Sequence, residues 1–93
     1  MAKIDQDWID ECERAALNGE IDALYQLGLC YASGRGVVQD YVTAHKWFNL
    51  AAVRGNDDAL HNRKELTVVM TGEEVAEAQR QARQWVNESA HFG

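Results

Sequence analysis

The sequence predicts an all-α chain folded as a short α-solenoid, a stack of antiparallel helix pairs with about five helices. Three observations lead there. Proline is absent, apolar residues recur at spacings of three and four, and a ten-residue stretch returns 36 positions later. At 93 residues the chain fits one domain, and 46% hydrophobic with 26% charged residues is a globular composition that excludes wholesale disorder. The net charge of −6 repels a phosphate backbone, so nucleic acid is excluded as the expected partner. No apolar run reaches the roughly 18 residues of a membrane span and no signal-like stretch opens the sequence. The expected location is the cytoplasm, or the periplasm or exterior if an export signal has been removed.

Each element follows from local chemistry. A first helix runs from about Asp5 to Asn18, with Asp5, Asp7, Asp10 and Glu11 at the positive end of its dipole, and Gly19 stops it. A second spans about Glu20 to Ser33 and ends at the turn Gly34, Arg35, Gly36, where glycine takes positive φ without strain. Asp40 caps a third that runs to Arg54, carries Ala44, Trp47, Phe48, Ala51 and Ala52 on one stripe, and closes at Gly55. A fourth covers roughly Asp57 to Met70. Thr71 and Glu74 have the spacing of a capping box and open a fifth, whose apolar stripe is Val75, Ala78, Ala82, Trp85 and Val86.

Self-comparison ties these helices together. Residues 15–24 align with residues 51–60 with six identities in ten. A weaker echo at an offset of 38 returns Ala44, Trp47, Asn49, Ala52 and Gly55 as Ala82, Trp85, Asn87, Ala90 and Gly93. The unit is a pair of antiparallel helices that buries its apolar face by stacking on neighbours. Residues 1–93 therefore form one domain, divided into an N-terminal capping helix over 1–19, a complete repeat over 20–55 and a degenerate repeat over 56–93. Gly28, inside a helix where glycine costs about 0.5 to 1 kcal/mol, predicts a close helix approach, with Trp47 as the expected visitor.

Ala23, Leu27, Gly28, Tyr31, Gly34, Gly36, Val37, Asp40, Ala44, Trp47, Ala51, Ala52, Gly55 and Ala59 together resemble the Sel-one-like repeat, a relative of the tetratricopeptide repeat. The resemblance implies a right-handed superhelix of helix pairs that acts as a protein–protein adaptor without catalysis of its own. It is strong over Ala15 to Leu60. Outside that span Arg63 and Lys64 stand where the pattern has Leu27 and Gly28, and Glu11 stands where it has Trp47. Charged residues at packing positions suit terminal caps.

Candidate chemistry is sparse. Gly34, Arg35 and Gly36 follow a helix rather than a strand and lack the lysine of a phosphate loop, so they read as a connecting turn. His61 and Glu65, one turn apart, are two metal ligands in need of more, and His45 and His91 have no reason to join them. The acidic pairs Asp57 with Asp58 and Glu73 with Glu74 open helices, where dipole compensation accounts for them. Cys12 and Cys30 are expected as buried free thiols, with a bridge between packed helices as the alternative. Trp8, Trp47 and Trp85 are expected in the core. No metal, cofactor or catalytic residue is expected.

On the second helix Ala23, Leu24, Leu27, Gly28 and Tyr31 face the stack, which turns Asp22, Tyr25, Gln26 and Leu29 outward. One unit later the same positions are Asp58, His61, Asn62 and Glu65. These eight residues are the expected groove for a protein or peptide partner, with Tyr25 and Leu29 as anchors and the acidic edges Asp22, Asp58 and Glu65 suited to a basic segment. The reading is a non-enzymatic protein-binding module, monomeric or weakly self-associating. A self-associating structural subunit is the alternative, and a metal-binding or hydrolytic enzyme is a remote one.

Overall fold

The computed structural model describes residues 6–89. They form five helices, α1 (Gln6–Leu17), α2 (Ile21–Ser33), α3 (Tyr41–Val53), α4 (Asp57–Val69) and α5 (Gly72–Ser89), with no strand among the described residues. The helix limits agree with the expected ones to within one or two residues. Asp5, at the expected start of α1, and Ala90 and Gly93 of the weaker echo lie outside the described residues. None of the five helices is long and apolar enough to cross a membrane.

The expected start and stop signals act as their chemistry requires. Asp40 Oδ1 accepts from the backbone N–H groups of Val42 (3.0 Å) and Thr43 (3.4 Å), while the Thr43 hydroxyl donates to Oδ2 at 2.7 Å. At α5 the box is reciprocal: Glu74 N–H donates to Thr71 Oγ1 at 3.1 Å and Thr71 N–H to Glu74 Oε1 at 2.8 Å. Gly34, at φ 76°, ends α2 in the left-handed region and donates to the Cys30 carbonyl at 2.8 Å.

The tandem repeat is visible in the backbone itself. Asn18, Gly19 and Glu20 donate to the carbonyls of Ala15, Ala16 and Ala15 at 3.1, 3.0 and 3.1 Å. Arg54, Gly55 and Asn56, each 36 residues later, donate to Ala51, Ala52 and Ala51 at 3.2, 3.0 and 3.1 Å. The turn that joins one helix pair to the next is thus built twice with one hydrogen-bond pattern.

The core gathers on α3, which packs against α2, α4 and α5, while α1 packs against α2. Ile9, Leu24, Leu27 and Phe48 are sealed from solvent, with Trp47, Leu50 and several alanines around them. One packing expectation changes identity. A methyl group on Gly28 would come within 2.5 Å of Phe48 Cε1, so the side chain that needs the glycine gap is Phe48. Trp47, one residue earlier and about 100° around the helix, meets Trp85 of α5 instead, edge to face at 5.6 Å between ring centroids.

The last pair also departs from the repeat. Whereas α2 and α3 pack tightly, α4 and α5 each lie on α3 and scarcely touch one another. Sequence explains this: α4 carries Arg63 and Lys64 in place of Leu27 and Gly28, so only Ala59 of that helix is buried. α5 takes up the apolar side of α3 with Ala82 and Trp85. Arg63 is itself put to use, its Nη1 donating to Asn49 Oδ1 of α3 at 2.7 Å.

Candidate functional surface

The eight residues expected to form a groove divide by exposure. Asp22 and Gln26 on α2 and Asp58, His61 and Glu65 on α4 stand in solvent, and Asn62 is half-buried. The two expected anchors differ from the rest. Tyr25 and Leu29 are half-buried and lie against the core, with the Tyr25 ring 5.9 Å from that of Phe48. Helical spacing alone turns them outward, whereas in the fold both pack against the core, Tyr25 beside the Phe48 ring. His61 Nε2 sits 3.2 Å from Glu65 Oε1 as an exposed pair one turn apart. Among the described residues no three His, Cys, Asp or Glu side chains gather as a metal would require. His91 lies outside them.

The thiols are free and buried, as expected. Burial raises both above the ordinary thiol range, and the thiol of Cys30 adds to the effect at Cys12. Such thiols stay protonated and behave as small apolar groups.

Two features went unread in the sequence. His45 is only 2% exposed, between α3 and α4. Its Nε2 lies 3.2 Å from Thr67 Oγ1, and because that hydroxyl donates to the Arg63 carbonyl at 2.9 Å, the imidazole N–H donates to the threonine oxygen. Burial lowers its pKa by disfavouring the charged ring, and the Arg63 guanidinium lowers it further, partly offset by a backbone hydrogen bond. A histidine beside Ala44 and Trp47 gives no warning of this, because only the crossing with α4 supplies the threonine.

The second feature is a cleft between α1, α3 and α5. One lobe of about 260 Å³ is lined by Glu13, Leu17, Tyr31, Thr43, Lys46, Trp47 and Trp85. An adjoining lobe of about 280 Å³ is lined by Lys46, Arg80, Gln81, Gln84, Trp85 and Glu88. Lys46 and Trp85 belong to both. The ammonium of Lys46 lies 4.4 Å from the centroid of the Trp47 ring. Burial lowers the lysine pKa, partly offset by Glu13 and Glu88. Arg80 is engaged elsewhere, bidentate to Glu77 at 2.8 and 2.6 Å, and these hydrogen bonds pull the Glu77 carboxyl down to about 2. The signal available in sequence was the second tryptophan of the offset-38 echo, since Trp47 and Trp85 form one wall of this cleft.

Comparison with known protein families gives a match. Residues 21–56 fit the model of the Sel1 repeat, the family that the glycine, alanine and aromatic pattern resembles. The match covers α2, α3 and the turn into α4. No curated protein matches the chain.

Proposed function

We propose, on the premise that residues 21–56 form a Sel1 repeat, that this chain is a non-catalytic module that binds a segment of another protein. Sel1 repeats generally mediate protein–protein interaction. The observation that carries the reading is how this repeat spends its side chains. Small and large apolar groups of α2 and α3 interlock, and the polar residues outside them stand apart or pair locally.

The outer row of α2 and α4 is the contact surface in this reading. Asp22, Asp58 and Glu65 are exposed carboxylates, supporting a basic partner segment, with Gln26, His61 and Asn62 supplying hydrogen bonds. Tyr25 and Leu29 add apolar surface at the base of the row. The test is the double charge reversal Asp22→Lys with Glu65→Lys, titrated against a lysine-rich peptide and compared with the unaltered chain. Binding should weaken at least tenfold, the equivalent of about 1.4 kcal/mol, with an unchanged melting temperature. Equal binding by both forms would remove this row from the interface.

A second reading, self-association, is favoured by one observation. Val68 and Val69 at the end of α4 are 84% and 65% exposed. Sedimentation of the unaltered chain and of Val68→Ser with Val69→Ser separates the two, because self-association through this end would vanish in the variant.

A further inference from the structure

The cleft between α1, α3 and α5 contains a cation that no carboxylate pairs with directly, since Glu13 and Glu88, which also line it, stay beyond ion-pair contact. Among the described residues the Lys46 ammonium forms no hydrogen bond or ion pair, and it rests on the Trp47 ring 4.4 Å away. Its three N–H groups are donors without acceptors in a site where burial already disfavours charge. A carboxylate delivered to that point would form a charge-assisted hydrogen bond in a setting drier than open surface.

The shape says where on a ligand the carboxylate must be. Lys46 and Trp85 line both lobes, so the ammonium sits at the middle of an elongated cleft rather than at its end. A chain terminus reaching it would leave one lobe unused, whereas a side chain from within a continuous segment lets the chain occupy both. The lobe toward α1 offers Leu17, 50% exposed, with Trp47 and Trp85, which suits apolar neighbours of the acidic residue. A cationic ligand is disfavoured, because Lys46 already lies over Trp47 and the Arg54 guanidinium lies 5.6 Å from the Trp85 ring. Glu13 and Glu88, one in each lobe, repel a run of acids and select for a single one.

We propose that this cleft grips a protein segment in which one acidic side chain stands between apolar ones, the carboxylate on Lys46 Nζ and the apolar groups against Leu17 and Trp85. The proposal rests on the protein-binding reading but uses a different face and the opposite charge preference, so the two fail separately.

Two fluorescein-labelled peptides test it with the full chain: one with a central glutamate flanked by leucines, and one with glutamine in its place. The glutamate peptide should bind at least about tenfold more tightly. Lys46→Met, which keeps the aliphatic stem over Trp47, should bring that ratio to about one, while Lys64→Met on the exposed side of α4 leaves it intact. A matched melting temperature for Lys46→Met shows that the fold is unchanged. Equal binding of both peptides by the unaltered chain, absence of binding, or a preference that survives Lys46→Met would each overturn the proposal. So would concentration-dependent dimerisation abolished by Lys46→Met without a peptide preference, which would assign the cleft to a second copy. The lysine-rich peptide and the Asp22→Lys with Glu65→Lys variant report on the α2 and α4 row whatever these peptides do.

Discussion

At Gly28 the cost of glycine and the gain from packing have opposite signs, and the geometry says which dominates. Alanine there would gain up to about 1 kcal/mol of helix propensity, but its methyl would overlap the Phe48 ring. Phe48 is 1% exposed and has no room to retreat. Gly28→Ala should therefore destabilise the fold by about 1 to 3 kcal/mol, read as a lower urea midpoint at constant slope. His45 gives the second residue-scale prediction. Its folded pKa lies below its ordinary value of 6.5, so between those two values the unfolded chain binds a proton that the folded chain does not. The stability from its neutral form is complete above about pH 6.5 and is lost as pH falls toward the folded value. Melting temperatures from pH 7 to pH 5 should drop more for the unaltered chain than for His45→Leu, and parallel curves would refute the assignment.

The helices begin and end where short polar residues and glycine close their backbone ends, and these devices are separable from the core. Asp40→Ala removes two backbone bonds and the Thr43 hydroxyl bond at the start of α3, and should cost about 1 kcal/mol in a chemical denaturation series. Thr71→Ala should cost a similar amount at α5, where it removes the Oγ1 acceptor of the Glu74 N–H while the bond from the Thr71 N–H to Glu74 Oε1 remains. The caps at Asp40, Thr71 and Glu74 were legible in advance because a capping side chain reaches only two or three residues along its own chain. The visitor to Gly28 was not, because adjacent residues of α3 point in different directions, and the orientation of that helix chooses between Phe48 and Trp47.

At the scale of the molecule, α3 is the axis on which the other elements depend. It is covered by α2 and α4, and α5 closes its remaining side through the Trp47 and Trp85 contact. Trp85→Ala should therefore cost about 2 kcal/mol, below the 3 to 5 of a fully buried tryptophan because Trp85 is half-buried, and thermal unfolding followed by far-ultraviolet dichroism reads it directly. The same substitution opens one wall of the cleft, so it should also weaken binding of the glutamate peptide.

Helix content, capping, the tandem spacing and the resemblance to a Sel1 repeat over residues 21–56 were legible in the sequence alone. Each rests on local spacing or on self-similarity, and neither needs the third dimension to be read. Tertiary structure alone decided that Phe48 fills the Gly28 gap, that His45 is sealed against Thr67, and that α4 and α5 part company around α3. It also decided that Lys46 lies mid-cleft between two tryptophan-lined lobes. The physical reason is common to all four. A residue's spacing names the face of its own helix, but what that face meets depends on crossing angles set by many side chains at once.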